Sequence, residues 1–266
     1  MSHISGKAGN VYTIALLIED CEDSWAEQVV SGCTQSTATG KVGTNCATTA
    51  TVSVGGTTLI ASEAITKDLS AYDGVRWWAK TGAITTAAGD LELHLSQHSD
   101  CATPEETLAY PALSVAATWK QCFARLAAPS GIASVISVGV YQKTNLADDT
   151  FSIDDVEALA EVDGIKSWTI DYTADTLETT DFGSAGVKSY IIAGSGWSGT
   201  FEGYKDGVPL SIGSEVYLVL GESTTAYQNW LGKAIITGAS ASVSNDGVVS
   251  YSYTYQGTGA LEAPSA

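Results

Sequence analysis

Positive charge is scarce in this sequence. It carries 12 lysines and arginines against 30 aspartates and glutamates, a formal net charge of −18. A surface of that kind does not grip nucleic acid, because phosphate neutralisation needs clustered Lys and Arg. The acid is spread along the chain: residues 14–157 hold 7 bases and 18 acids, and residues 158–266 hold 4 and 12. Prolines number only 5 and glycines 27. Thr, Ser, Val and aromatic residues fill the stretches between the glycines, a composition of strands and turns rather than helices.

Long apolar runs are also missing. Residues 14–18 are apolar but run straight into Glu19 and Asp20, too short for a signal-peptide core. No segment approaches the roughly 20 apolar residues of a membrane span. The expectation is cytoplasmic synthesis without membrane insertion. The five cysteines, Cys21, Cys33, Cys46, Cys101 and Cys122, are odd in number and contain no CxxC pair. That is a poor disulfide framework and a poor zinc site, so buried free thiols are expected.

The constellations of catalysis are absent too. His94 and His98 are four apart, a metal spacing only on a helix. Leu91, Leu93 and Leu95 alternate with Glu92 and His94, which indicates a strand running into a loop and a solvated histidine pair. Glu19, Asp20, Glu22 and Asp23 bunch in one turn and are not a placed acid and base. Residues 196–200 lack the last glycine of a nucleophile elbow, and no histidine follows residue 157 to activate Ser198. No glycine-rich phosphate loop is present. The chain is not expected to be an enzyme.

What the sequence does have is a period of two. Trp168, Ile170 and Tyr172 alternate with Thr169, Asp171 and Thr173, and Val249, Tyr251, Tyr253 and Tyr255 repeat the pattern. Alternation puts each set on one face of a sheet. Asp73-Gly74, Asp206-Gly207 and Asn245-Asp246-Gly247 are turn signals between runs. One helix is expected, over Ser223–Ile236, where Tyr227, Trp230 and Leu231 sit at helical spacing before Gly232. All the cysteines, histidines and arginines beyond the first few residues lie before residue 158, which supports two units with a boundary near 156–162.

Four segments of the second unit carry a resemblance. They are Gly164 to Asp175, Thr176 to Gly183, Gly196 to Tyr204 with its Trp-Ser-Gly core, and Asp246 to Leu261 with Gln256-Gly257-Thr258-Gly259. In this order they resemble the tail tube proteins of siphophages. Ile4 to Thr13 resembles the same family's opening strand. The fold class so implied is all-β: a discontinuous tail-tube β-sandwich or barrel domain, 1–13 plus 158–266, with one short helix, carrying an inserted β-jelly-roll domain, 14–157.

The resemblance implies hexameric rings stacked into a tube, with tape measure and tail terminator proteins as further partners. DNA passes through the lumen without specific binding, and the location is the virion tail. Asp171, Asp175 and Glu178 are the candidate lumen-facing acids. Asp181, Phe182 and Lys188 are candidates for the loop that reaches the neighbouring ring. Residues 14–157 more loosely resemble carbohydrate-binding-module jelly rolls, which implies a structural calcium at Glu19 and Asp154. Host-surface glycans would stack on exposed aromatics, with Trp25 and Trp78 as candidates. The alternative is a stand-alone carbohydrate-binding or adhesin module that builds no tube.

Overall fold

The computed structural model describes residues 9–27, 33–51, 57–101, 103–180, 183, 187–205, 208–222, 228–243 and 247–264, except the side chains of Ile14, Ala15 and Glu27. The described strands are β1 Asn10–Glu19, β2 Ala26–Glu27, β3 Cys33–Thr39, β4 Asn45–Thr51, β5 Thr58–Lys67, β6 Gly74–Thr81, β7 Leu91–Ser96, β8 Glu106–Ala109, β9 Lys120–Arg125, β10 Val135–Gln142, β11 Thr150–Glu161, β12 Ile165–Glu178, β13 Tyr190–Tyr204, β14 Glu215–Gly221, β15 Asn229–Ser242 and β16 Ser250–Glu262. The only helical pieces among the described residues are two three-residue 3-10 turns, at Ser99–Cys101 and Pro129–Gly131. The protein is therefore all-β.

The chain divides into two compact units, 1–13 with 162–266, and 14–161. The chain passes from one to the other inside β1 and returns after β11.

In the discontinuous unit, one antiparallel sheet runs β12-β13-β16-β15-β14-β1. Its core comprises Val11, Trp197, Phe201, Val216, Leu218, Leu220, Ala234, Ile236, Tyr253 and Tyr255. Tyr253 and Tyr255 point in while Ser252 and Thr254 point out, as the period of two requires. The sheet is open, with β12 at its edge, and does not close into a barrel. The expected helix is also overturned. Residues 229–236 are the first half of β15, paired with β14 and β16, and Ser223–Tyr227 lie outside the described residues.

Trp197 organises this unit. Its Nε1–H donates to the Gly259 carbonyl at 3.2 Å, and its own carbonyl accepts from Gln256 Nε2 at 2.8 Å. Its ring lies so close to Gly257 and Gly232 that a Cβ at either would enter it. Strands β13 and β16 thus share one packing arrangement: a tryptophan ring of β13 seated on a glycine of the adjacent β16 and on one of β15 beyond it. Gly9 bears the same relation to the Trp168 ring.

In the inserted unit, two antiparallel sheets share one core. One holds β9-β6-β11, with β4-β3 and the second half of β1 on the far side of β11; the other runs β2-β5-β10-β7-β8. Between them lie Trp25, Trp77, Leu91, Leu93, Val138, Val140, Phe151 and Ile153. Trp77 meets Tyr110 edge-on, with centroids 5.1 Å apart. All five cysteines are buried.

Candidate functional site

The first candidate surface lies on the discontinuous unit. β12 and β13 pair along their whole length, with Asp171 opposite Ser198 and Asp175 opposite Gly194. Alternation places Thr169, Asp171, Thr173 and Asp175 on the face away from Trp168 and Ile170. Across that face the residues are Thr200 and Glu202 on β13, Ser252, Thr254 and Gln256 on β16, and Ser240 on β15. Hydroxyl pairs tie the strands laterally: Thr169 to Thr200 at 2.9 Å and Thr237 to Thr254 at 3.0 Å. Ser167 donates to Glu202 at 3.0 Å. The result is a face of hydroxyls and acids, with Lys233 at one margin.

Glu178 lies beyond a register shift in the β12–β13 ladder, between Asp175 and Thr176, so the alternation that places Asp171 and Asp175 does not by itself place Glu178. It pairs with Lys188 Nζ at 3.0 Å. Asp181 and Phe182 lie outside the described residues; Lys188 is exposed and already engaged.

Beyond the core, β12 and β13 continue as a two-stranded arm. Every β12 residue from Asp171 to Glu178 is exposed, as is every β13 residue from Tyr190 to Gly196. Tyr172, Leu177, Val187, Tyr190, Ile191 and Ile192 are each more than half exposed there. A hairpin with solvent on both faces is at best marginally stable alone, so this arm is apolar surface without a core.

The second candidate surface lies on the inserted unit. The turn between β3 and β4 is held by two carboxylates. Asp154 Oδ2 accepts the amides of Lys41 at 2.6 Å and Val42 at 2.8 Å, and Glu22 accepts those of Thr44 at 2.7 Å and Asn45 at 2.9 Å. Gly43 supplies the left-handed residue of this turn, at φ +66°. Burial raises the pKa of Asp154, against the lowering by the two amides. Burial likewise raises that of Glu19, whose Oε1 accepts the Cys21 amide at 3.1 Å.

These side chains do not fit a calcium cage. Calcium takes six to eight oxygens. Glu19 and Asp154 spend oxygens on backbone amides, which leaves Asp154 Oδ1 as one buried carboxylate oxygen without a hydrogen-bond partner. Among the described residues no three His, Cys, Asp or Glu groups come together to hold a metal.

The two tryptophans proposed for glycan stacking part company. Trp25 is 2% exposed, in the core between the sheets, and offers no ring face to solvent. Trp78 is only partly buried, with Lys41 Nζ 5.0 Å from its ring centroid. Trp119 is also partly buried and has Lys80 Nζ at 4.5 Å. Trp78 and Lys80, two apart on β6, share a face; Gln121 sits opposite Trp78 on β9, and Trp119 two residues before it.

The histidines differ from expectation as well. His94 is buried, stacked on Tyr141 at 4.6 Å and 3.2 Å from Glu92 Oε2. Burial, ahead of the opposing Glu92, lowers its pKa. His98 is exposed, 3.6 Å from Glu105. Sequence reasoning also missed Arg76, fully buried, whose Nη2 meets Asp155 at 2.7 Å and whose Nε meets Glu157 at 2.6 Å. Three acids within four residues of an otherwise apolar strand, Asp154 to Glu157, were the available signal.

No family model matches the sequence, and no curated protein matches it. A solved structure described as the tail of an empty GTA particle, computed with helical refinement in C6 symmetry, aligns with 40% of this chain and 87% of that chain, at 16% identity and a TM-score of 0.32.

Proposed function

We propose that this chain is a structural subunit of a phage tail tube, with the inserted unit carried outward as a glycan-binding decoration. The observation that carries the reading is the apolar β12–β13 arm: among the described residues of its unit nothing covers it, which suits a surface that a second copy covers. Two further features support it. The motif glycines and Trp197 make one packing arrangement, as expected if the segments resembling tail tube proteins descend together. The hydroxyl-and-acid face carrying Asp171 and Asp175 would repel DNA rather than bind it, which suits a conduit. In this reading the rings are hexameric and stack, tape measure and tail terminator proteins are further partners, and the protein resides in the virion. No catalytic step is assigned to it.

Electron microscopy of the purified protein tests the reading. Rings or tubes are expected from the wild type. A Leu177→Ser/Ile192→Ser variant is expected to remain a monomer, with its melting temperature within a few degrees of the parent, as for exposed positions. A wild type that stays monomeric under all conditions overturns the tube and leaves the second reading. That reading, a free carbohydrate-binding module, rests on the partly exposed Trp78 and Trp119.

A further inference from the structure

Five of the ten lysines show two kinds of neighbour, and Lys166 has both, its Nζ also lying 5.4 Å from the Tyr204 ring centroid. Lys143, Lys166 and Lys188 each pair with a glutamate, and both arginines pair with acids. Lys41 and Lys80 do not. Each holds its ammonium over a tryptophan ring, Trp78 and Trp119, with no carboxylate at ion-pair distance among the described residues. In a chain with 30 acids and 12 bases, two cations placed against rings rather than acids stand out.

The arrangement is built rather than incidental. Lys80 and Trp78 are fixed by the β6 ladder between β9 and β11. Lys41 lies in a turn whose amide is gripped by Asp154, a fully buried residue opposite Trp78 in the ladder. The floor of the same face is polar and closed: Ser152, opposite Lys80, shares a hydrogen bond with Thr48 at 3.0 Å, and both are buried.

We infer that the Trp78–Lys80–Trp119–Lys41 face of the inserted unit binds a sugar ring that carries an anionic group. The inference rests on the glycan-binding role proposed above and names its chemical class. The apolar C–H face of a pyranose packs on an indole, and the few convergent polar groups fix its orientation. The ammonium groups over the rings repel a cationic ligand, and a neutral sugar would leave them without a counter-charge. A carboxylate or phosphate on the sugar completes a charge-assisted contact with each. A long nucleic acid is disfavoured, because the rest of the −18 surface repels it. Asp154 is a positioning residue here: it acts through the Lys41 amide and touches no ligand.

Calorimetric titration of the full chain at low salt decides the matter. The probes are tetragalacturonate, the uncharged galactotetraose, mannose 6-phosphate and a short oligothymidylate. At least one of the two anionic sugars is expected to bind about tenfold more tightly than the neutral tetraose, and which one separates a carboxylate from a phosphate requirement. Lys41→Gln and Lys80→Gln are each expected to weaken that binding by roughly threefold to tenfold, and added salt to erase much of the difference. Trp78→Phe keeps a ring in the fold and is expected to weaken binding less than Trp78→Ala; thermal melts confirm that each variant folds.

Equal binding of the neutral and anionic sugars overturns the anionic assignment while leaving a glycan role. Undiminished binding by both lysine variants, or oligothymidylate bound as tightly as the sugars, overturns the site. Failure of every probe overturns the inference without touching tube assembly, which microscopy reads independently.

Discussion

The two units use the same secondary structure to opposite ends. The inserted unit folds two sheets over a shared apolar core and satisfies its buried charge internally, Arg76 against Asp155 and Glu157. The discontinuous unit has one open sheet, and its strands β12 and β13 run past the core into solvent. Apolar burial stabilises at about 25 cal/mol per Å². The first unit collects that in a core between its two sheets, whereas the apolar arm of the second stays exposed. On the proposed reading, a self-contained sandwich serves recognition and an incomplete sheet serves association.

The largest expected effect tests the closed core. Trp77 is fully buried against Tyr110, so Trp77→Ala is expected to cost about 3–5 kcal/mol in denaturant unfolding. The same measurement on Leu177→Ala, in the exposed arm, should change little; comparable losses from both would erase the contrast.

A middle-sized effect probes the discontinuous unit. In Gly257→Ala the new methyl meets the Trp197 ring and should cost about 1–3 kcal/mol. In a Trp197→Ala background most of that penalty should vanish, a coupling that a double-mutant cycle measures directly. An additive result would dissolve the single packing arrangement described for those segments.

The smallest effect concerns pH and the turn under Lys41. Burial raises the pKa of folded Asp154 above its ordinary 3.8. The folded chain holds that proton more tightly than the unfolded chain, so the contribution is present at low pH and is lost as pH rises through the folded value. Asp154→Asn removes this dependence. Its stability relative to wild type should therefore improve as pH climbs from about 4 towards neutrality, followed by thermal melts across that range. A constant difference at all pH values would mean that the turn does not feel the charge of Asp154.

Where period two was unbroken, the strands were legible in the sequence: β7, β12 and β16 lie where alternation placed them. β15 was misread because its inward positions, Gly232 and Ala234, are small to admit the Trp197 ring, and bulges near Leu231 and Ile236 shift its phase. Only Trp197 could reveal that, and it lies on β13, a strand that does not pair with β15. Site residues were less legible. Trp25 and Trp78 look alike in sequence, but one fills the core and the other an outer face. Glu178 is separated from Asp175 by a register shift that no sequence pattern announces. Lys80 and Trp119 are distant in sequence and meet only because β6 and β9 are neighbours.

Strand β1 also sets a timetable. Val11 pairs with Leu218, so the first strand waits for a partner more than 200 residues downstream. At about 5–20 residues per second of synthesis, that wait lasts on the order of 10–40 s. The inserted unit finds all its partners by residue 161 and can finish while the ribosome is still working. The β12–β13 arm emerges into a sheet that still lacks β14, β15 and β16. A chain built in this order leaves its apolar arm without a complete sheet behind it until synthesis is nearly over.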